Sequence, residues 1–244
     1  MQLDPGDQNK KIWKYMDFTK FVSLLDKSAL FFPRADKLGD PFEGSHGRAY
    51  VNEMRVGFEE DKKDWAMNTL RKAYKKIVKF TFVSCWHLND YESAALWSLY
   101  LKSNEGVAVQ SSVSPLMRSI KDTTYDIYIG KIKYIDYEKE VMSGRLDEGE
   151  KYPFFYKQKS FEHEQELRLV IQDFKLAKGR SVMESKPPRR EGIDISVDLD
   201  LLVERIYMAP TSPRWLFELV KSVTRKYGVN KEVLQSTLDA KPMY

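Results

Sequence analysis

A single cysteine, Cys85, stands in 244 residues, which excludes an intramolecular disulfide framework and any cysteine-rich zinc site. Histidine is nearly as scarce. His46, His87 and His163 are too scattered along the chain to argue for a metal centre. No apolar run approaches the roughly 18 residues of a membrane span. The opening MQLDPGDQNKK has no apolar stretch of the kind a signal peptide needs. The expectation is a cytoplasmic protein with no membrane partner. Excess charge is lacking too: 40 Lys and Arg against 36 Asp and Glu leave +4, which by itself is no nucleic-acid signature. GxxxxGKS, GxGxxG, GxSxG and HExxH patterns do not occur, so the standard nucleotide, hydrolase and zincin readings lack support. There is no internal repeat or low-complexity tract. At this length one domain over 1–244 is the default, large enough to bury most of its apolar surface.

What the chain does have is concentrated between Thr81 and Ser112. Residues 80–86 are apolar and β-prone, as in a strand buried on both faces, and a polar turn follows at His87-Leu88-Asn89-Asp90. Asp90 suits a helix cap, and Ala94, Trp97 and Leu101 form one helical stripe. Gly106 stops that helix and Val107-Ala108-Val109 begins a second buried strand. The pattern predicts strands at 81–86 and 107–111 in one sheet, with helix 92–102 packed on it through Trp97. Ser84, His87, Ser93 and Tyr100 fall at strand ends or on one helical side, where a cleft would form.

The rest of the chain reads as alternating short elements. Residues 1–10 are polar and loose. Residues 12–16 (IWKYM) form a strand, a helix capped by Asp17 or Thr19 follows, and ALFFP from Ala29 forms another strand. Asp40, Pro41 and Glu43 have the spacing of a capping box opening a helix. Read functionally, Asp36, Asp40 and Glu43 sit beside a site and hold a loop or ligand. Residues 48–79 predict one broken or two consecutive helices with solvated charged faces, a helical insertion. Ser114-Pro115 opens a short helix. Residues 127–137 alternate as one long strand, with Gly130 marking a bend. Residues 138–151 are a charged loop or partly helical insertion, and 154–166 have a helix-like pattern. Strands are expected at 167–174, 193–197, 201–208 and 233–238, and a helix from Ser212-Pro213 to Tyr227. Residues 178–191 carry Gly179, Pro187 and Pro188 among basic residues, and predict a mobile basic loop. The fold class that results is α+β, a mixed and mostly antiparallel sheet with helices around it.

The chemical candidate is Ser160 to Arg168, SFEHEQELR. If helical, Glu164 and Arg168 are a surface pair. If extended, Glu162, Glu164, Glu166 and Arg168 share a face, where crowded carboxylates need cations or a ligand. Both a structural ion-pair network and a functional site fit that pattern.

The ordered series WKYM, DKLGDPFEG, SCWHLNDYESAALWSLY with GVAVQSS, IGKIKYIDY, SFEHEQELRLV and IYMAP resembles a bacterial domain-of-unknown-function family, number 2971, from about Trp13 onward. The layout more distantly resembles the ADP-ribosyltransferase fold. That resemblance implies NAD as substrate and places a site at Lys14 or Tyr15, at Ser84 (or Ser111), and at Glu164 or Glu166. No Arg or His stands at the first of these positions. In this reading Glu166 or Glu164 stabilises the positive charge that builds on the ribose as the nicotinamide bond breaks. Lys14 holds a phosphate, Trp86 or Tyr100 stacks on a ring, and Ser84 holds a ribose hydroxyl. Asp40 and Glu43 flank the ligand, and Arg189 and Arg190 meet a nucleic-acid or acidic protein target. Two further readings stay open: a non-catalytic nucleotide or nucleic-acid binding module, and a nuclease with a divalent metal on Asp36, Asp40, Glu43 and Glu164.

Overall fold

The computed structural model describes residues 4–100, 104–122, 124–142, 153–177 and 181–240. Its strands and helices are, in chain order, β1 Lys11–Asp17, α1 Phe18–Lys27, β2 Ala29–Pro33, α2 Arg48–Val56, α3 Lys63–Ile77, β3 Thr81–Leu88, α4 Ala94–Tyr100, β4 Gly106–Ser112, α5 Val113–Ser119, β5 Ile127–Lys131, β6 Lys133–Ile135, β7 Tyr156–Gln158, β8 Glu166–Gln172, β9 Gly192–Ser196, α6 Leu199–Leu202, β10 Arg205–Met208, α7 Arg214–Lys226 and β11 Glu232–Gln235. The class is α+β with a mixed, mostly antiparallel sheet, as the alternation of short periodic segments predicts. The chain forms two compact units, one from residues 32–84 and 125–193, the other from 3–31, 85–124 and 194–244. They are called here the cavity unit and the strand unit. The chain passes between them within β2, β3 and β9 and once more at 124–125, between α5 and β5, and none of these points is a Gly- or Pro-rich linker of the kind that marks a domain boundary in sequence.

In the strand unit β4 is central, buried at all seven residues. It pairs antiparallel with β1 from Lys11↔Ser112 to Asp17↔Gly106, and antiparallel with β10 from Arg205↔Gln110 to Met208↔Val107. β11 joins β10 in parallel, and the end of β3 pairs with β1 at Trp13↔His87. Helix α1 starts where Asp17 accepts a hydrogen bond from Lys20 N at 2.8 Å, and buries Phe21, Leu24 and Leu25. Each such side chain contributes about 1.5–3 kcal/mol on burial. Trp97 of α4 is buried edge-on to Tyr15 at 4.9 Å, in a cluster with Trp13, Leu96, Ala108 and Ala209. The predicted strand–helix–strand arrangement around Trp97 is therefore present, with β1 lying between the two strands in the sheet. Residues 4–10 are anchored: Asp7 is buried, and Gln8 and Lys10 carbonyls accept from Ser114 N and Val113 N.

In the cavity unit β8 pairs antiparallel with β5, from Ile127↔Ile171 to Lys131↔Leu167. The small parallel pair β6–β7 runs from Lys133↔Tyr156 to Ile135↔Gln158. Several expectations change here. The long strand 127–137 is two strands, broken at Ile132, whose N–H donates to Glu166 O at 2.8 Å in the β5–β8 register before the chain goes on to pair with β7; Gly130 stays paired with Arg168. The helix expected over 154–166 is β7 followed by a 3₁₀ turn, Lys159–Glu164. Gln165 ends that turn in the left-handed region (φ 40°, ψ 56°) and reverses the chain into β8. The capping box at Asp40 opens no helix. Asp40 instead closes a short turn by accepting from Phe42 N at 2.8 Å. Residues 199–202 form α6, capped by Asp198, so the strand expected from 201 begins at Arg205. Helices α2 and α3 realise the two-helix reading of 48–79.

The described part of the basic loop, 181–191, is tied down, because Arg34 gathers backbone carbonyls there. Its guanidinium donates to Pro188 O at 2.7 Å and Arg190 O at 3.3 Å, Arg190 pairs with Asp173 at 2.7 Å, and Lys76 donates to Met183 O. Residues 178–180, the helix end at 101–102 and positions 143–151 of the charged stretch lie outside the described residues.

Candidate functional site

Two adjoining features of the cavity unit carry its chemistry. The first is a buried ion cluster. Glu166 opens β8 and Arg168 follows two residues on, so strand alternation puts both on one face. The left-handed turn at Gln165 brings Glu164 beside Glu166, and Lys157 of β7 bridges them, 2.6 Å from Glu164 Oε2 and 2.8 Å from Glu166 Oε1. Arg168 Nε donates to Glu166 Oε2 at 2.6 Å, and its two terminal nitrogens reach the Glu43 carboxylate at 2.6 and 3.1 Å. Phe154 O and Glu166 Oε1 accept the remaining guanidinium hydrogens, at 2.9 and 3.3 Å. All five donors of the guanidinium are thus used, which makes burial of the charge tolerable. The five side chains are between 1% and 9% exposed.

Protons distribute unevenly over this cluster. Burial pushes Glu166 up, but Arg168 and Lys157 outweigh it and hold the carboxyl well below its ordinary range. Burial and the neighbouring Glu166 push Glu164 up to about 7, against the pull of Lys157. Burial also raises Glu43, although Arg168 opposes it. Lys157 loses by burial and gains more from Glu166 and Glu164, so its ammonium is held more firmly than usual. Glu164 and Glu166 titrate as an interacting pair, one pushed up and the other held down.

The second feature is a cavity of about 760 Å³ between the 36–46 segment and helices α2 and α3. Glu43 belongs to both cavity wall and ion cluster. The walls are largely apolar and aromatic, with Phe42, Tyr50, Met54, Met67, Leu70 and Tyr74. His46 packs between Tyr50 at 4.4 Å and Tyr74 at 4.1 Å, and burial lowers its pKa to about 4, so it is neutral at pH 7. Two glycines let the 36–46 segment and its continuation fit. A Cβ on Gly44, whose φ is +65°, would lie 2.4 Å from Phe154 Cε1, and one on Gly47 would lie 2.7 Å from Tyr137 O.

The carboxylates on the cavity wall are already engaged. Asp36 pairs with Arg34 at 2.6 Å, Glu43 with Arg168, and Asp64 with Arg55 at 3.2 Å, while Asp40 accepts from its own turn. Arg71 and Lys75, one turn apart on α3, also line the cavity and have no carboxylate partner among the described residues.

The predicted site residues separate accordingly. Glu164, Glu166 and Glu43 come together in the ion cluster, and Asp40 joins Glu43 on the cavity wall. Ser84 is buried in β3 of the same unit, while Glu162 is exposed on the 3₁₀ turn. Lys14, Tyr15, Trp86 and Tyr100 belong to the strand unit. There Lys14 Nζ donates to Cys85 O at 3.0 Å and lies 5.2 Å from the Trp86 ring, and Trp86 is buried. Tyr15 accepts from Ser93 N at 2.8 Å, and burial raises its phenol pKa. Tyr100 is exposed. Arg190, proposed for a target surface, is engaged with Asp173, whereas Lys186 and Arg189 are exposed. Among the described residues no group of three or more His, Cys, Asp and Glu is placed to hold a metal ion.

Sequence reasoning missed Lys157, Arg71, Lys75 and His46. Besides the crowded carboxylates, Arg168 inside the otherwise apolar run LRLVI was a signal for the cluster, since a buried arginine must have acid partners. Its main partner, Glu43, lies 125 residues away in sequence. No helix among the described residues is long and apolar enough to cross a membrane. The chain matches no family profile, no curated protein and no solved structure.

Proposed function

We propose that this chain is a non-catalytic binding module for a small anionic molecule with a ring body, of the nucleotide class, held in the cavity of the cavity unit. The carrying observation is the pair Arg71 and Lys75. They are cations without acid partners among the described residues, on an apolar, aromatic wall whose carboxylates are already engaged. The volume is within the usual range of small-molecule sites, roughly 300–1,000 Å³. In this reading the two cations hold the phosphate and the aromatic wall holds the ring.

Titration calorimetry tests it. AMP is expected to bind, adenosine and inorganic phosphate each to bind at least tenfold more weakly, and the R71A/K75A variant to lose AMP binding. Failure of AMP to bind, or binding unaffected by R71A/K75A, removes the proposal.

An ADP-ribosyltransferase-like enzyme is the second reading, kept with the resemblance to family 2971. One observation favours it: Glu166 is a fixed carboxylate held ionised at neutral pH, the kind of group that stabilises a developing oxocarbenium ion. Against it, both Glu166 oxygens are already bound, by Lys157 and by Arg168. NAD turnover by the wild type that is lost in Glu166→Gln at unchanged melting temperature would replace the binding reading with this one.

A further inference from the structure

We infer, resting on the cavity reading above, that the nucleotide held there is the end of a single-stranded nucleic acid, and that the outer face of α3 carries the strand's next phosphates. Arg71 and Lys75 line the cavity and are themselves exposed, whereas Glu43 on the same wall is buried. The two cations therefore stand at the open side of the cavity. A nucleotide held by them has its ring inside and its phosphate at the mouth, where a further phosphoester bond can lead outward.

Outside the mouth the charge continues with one sign. Between Trp65 and Phe80 the sequence has five basic residues and no acidic one. At 3.6 residues per turn these five do not scatter around the helix. Going round α3 from the cavity wall, the order is Arg71, Lys75, Lys79, Lys72 and Lys76, a ribbon about 140° wide, with Lys79 in the 3₁₀ turn that prolongs the helix. The side away from it is buried through Ala66 and Ile77. Lys72 and Lys79 are exposed and have no carboxylate partner among the described residues, and Lys76 donates to Met183 O. Asp64, the acid at the start of α3, is already paired with Arg55.

A plain solvated helix face mixes the two signs and gains from acid–base pairs four residues apart. Here the pairs four apart are Arg71–Lys75, Lys72–Lys76 and Lys75–Lys79, all of like sign, and each works against the helix. A repeating anion laid along the ribbon answers them. Trp65 falls within the ribbon, between Lys72 and Lys76 in angle, and its side chain is 72% exposed. An indole left in water beside unpaired lysines is a platform for an unstacked base. A single strand offers phosphates and open bases together. A duplex turns its bases inward, and an anionic lipid surface has no ring to fill the aromatic cavity. From Trp65 to Lys76 the helix rises about 16 Å, enough for a few nucleotides.

Fluorescence anisotropy with a single-stranded decadeoxyadenylate carrying an internal fluorophore tests this, beside calorimetry with AMP. The strand is expected to bind about tenfold more tightly than AMP, to be displaced by excess AMP, and to weaken more steeply with salt. K72A/K79A removes two exposed lysines outside the cavity. It is expected to weaken the strand about tenfold and to make its salt slope shallower by about 1.4, while AMP affinity and Tm stay as in the wild type. A strand bound no more tightly than AMP, or held equally well by K72A/K79A, overturns the inference; AMP binding sensitive to R71A/K75A then leaves the cavity reading standing. Strand binding that excess AMP does not displace overturns the seating of its end in the cavity. Equal binding of the blunt duplex, or preference for phosphatidylserine vesicles over the strand, overturns the choice of partner. Absence of AMP binding overturns the cavity reading and this inference together.

Discussion

The two units satisfy their buried polar groups in different ways. The strand unit buries Trp13, Tyr15 and Trp97 against small residues of β4 and Ala209. Their polar tips are met singly: Trp13 Nε1 donates to Asn89 O at 2.8 Å, Trp97 Nε1 to Glu92 at 2.9 Å, and Tyr15 accepts from Ser93 N. The cavity unit buries Arg168, Lys157 and three glutamates, whose hydrogen bonds run from side chain to side chain as one network. The difference is one of cooperativity. In an apolar core each lost side chain subtracts its own area and cavity. In an ion network each lost charge strands the ones it answered.

Removing the hub of the network should therefore have the largest effect. Arg168→Met leaves Glu43 and Glu166 buried without their main cation, and is expected to lower stability by about 3–5 kcal/mol in urea unfolding. Adding Glu43→Gln should recover part of that loss. If the single variant costs under about 1 kcal/mol, Arg168 is not the hub of the network.

Trp97→Ala tests the other unit. It should cost about 3 kcal/mol, by lost area and a residual cavity. A deficit under about 1 kcal/mol in urea unfolding would show that the Trp97 site repacks easily and would weaken the contrast between the units.

Gly44→Ala comes next. The added methyl meets Phe154 at 2.4 Å and the φ of +65° disfavours a side chain, so a loss of about 2 kcal/mol is expected in thermal unfolding. Weakened AMP binding should accompany it. An unchanged melting temperature would show that Phe154 yields easily.

The titration effects have opposite signs. Glu164 is raised from 4.5 to about 7, so between those values the folded chain keeps a proton the unfolded chain has lost. Its contribution is present below pH 4.5 and is lost as pH rises through 7. His46 is lowered from 6.5 to about 4, so its contribution is present above pH 6.5 and is lost as pH falls through 4. Glu164→Gln should thus gain on the wild type progressively from pH 4.5 to 7 in denaturant midpoint, and His46→Gln should flatten the acid limb. Parallel pH profiles for variant and wild type would contradict the proton assignments.

Much of the fold was legible because its signals are local. Buried runs at 81–86 and 107–111 and the Asp17 cap are patterns of neighbouring residues, and they formed as read; of the stripe Ala94, Trp97 and Leu101, Trp97 is buried, Ala94 is exposed and Leu101 lies outside the described residues. Readings failed where a distant partner changed the local preference. Glu43 fits a capping box by spacing, but a buried Arg168 claims its carboxylate. Residues 154–166 have helical periodicity, but Lys157, Glu164 and Glu166 satisfy one another only through a strand, a 3₁₀ turn and a left-handed Gln165.

The sequence by itself determined the class of fold, the absence of a disulfide framework, and the crowding of acids before an apolar strand that made 160–168 the chemical candidate. Only the tertiary structure decided that those acids are answered by Lys157 and Arg168, that Glu43 joins them to a cavity, and that Arg71 and Lys75 face that cavity without acid partners among the described residues. The physical reason is range. Periodicity and capping act over a few residues, whereas charge balance in a buried site is settled among side chains that meet only after the backbone has folded.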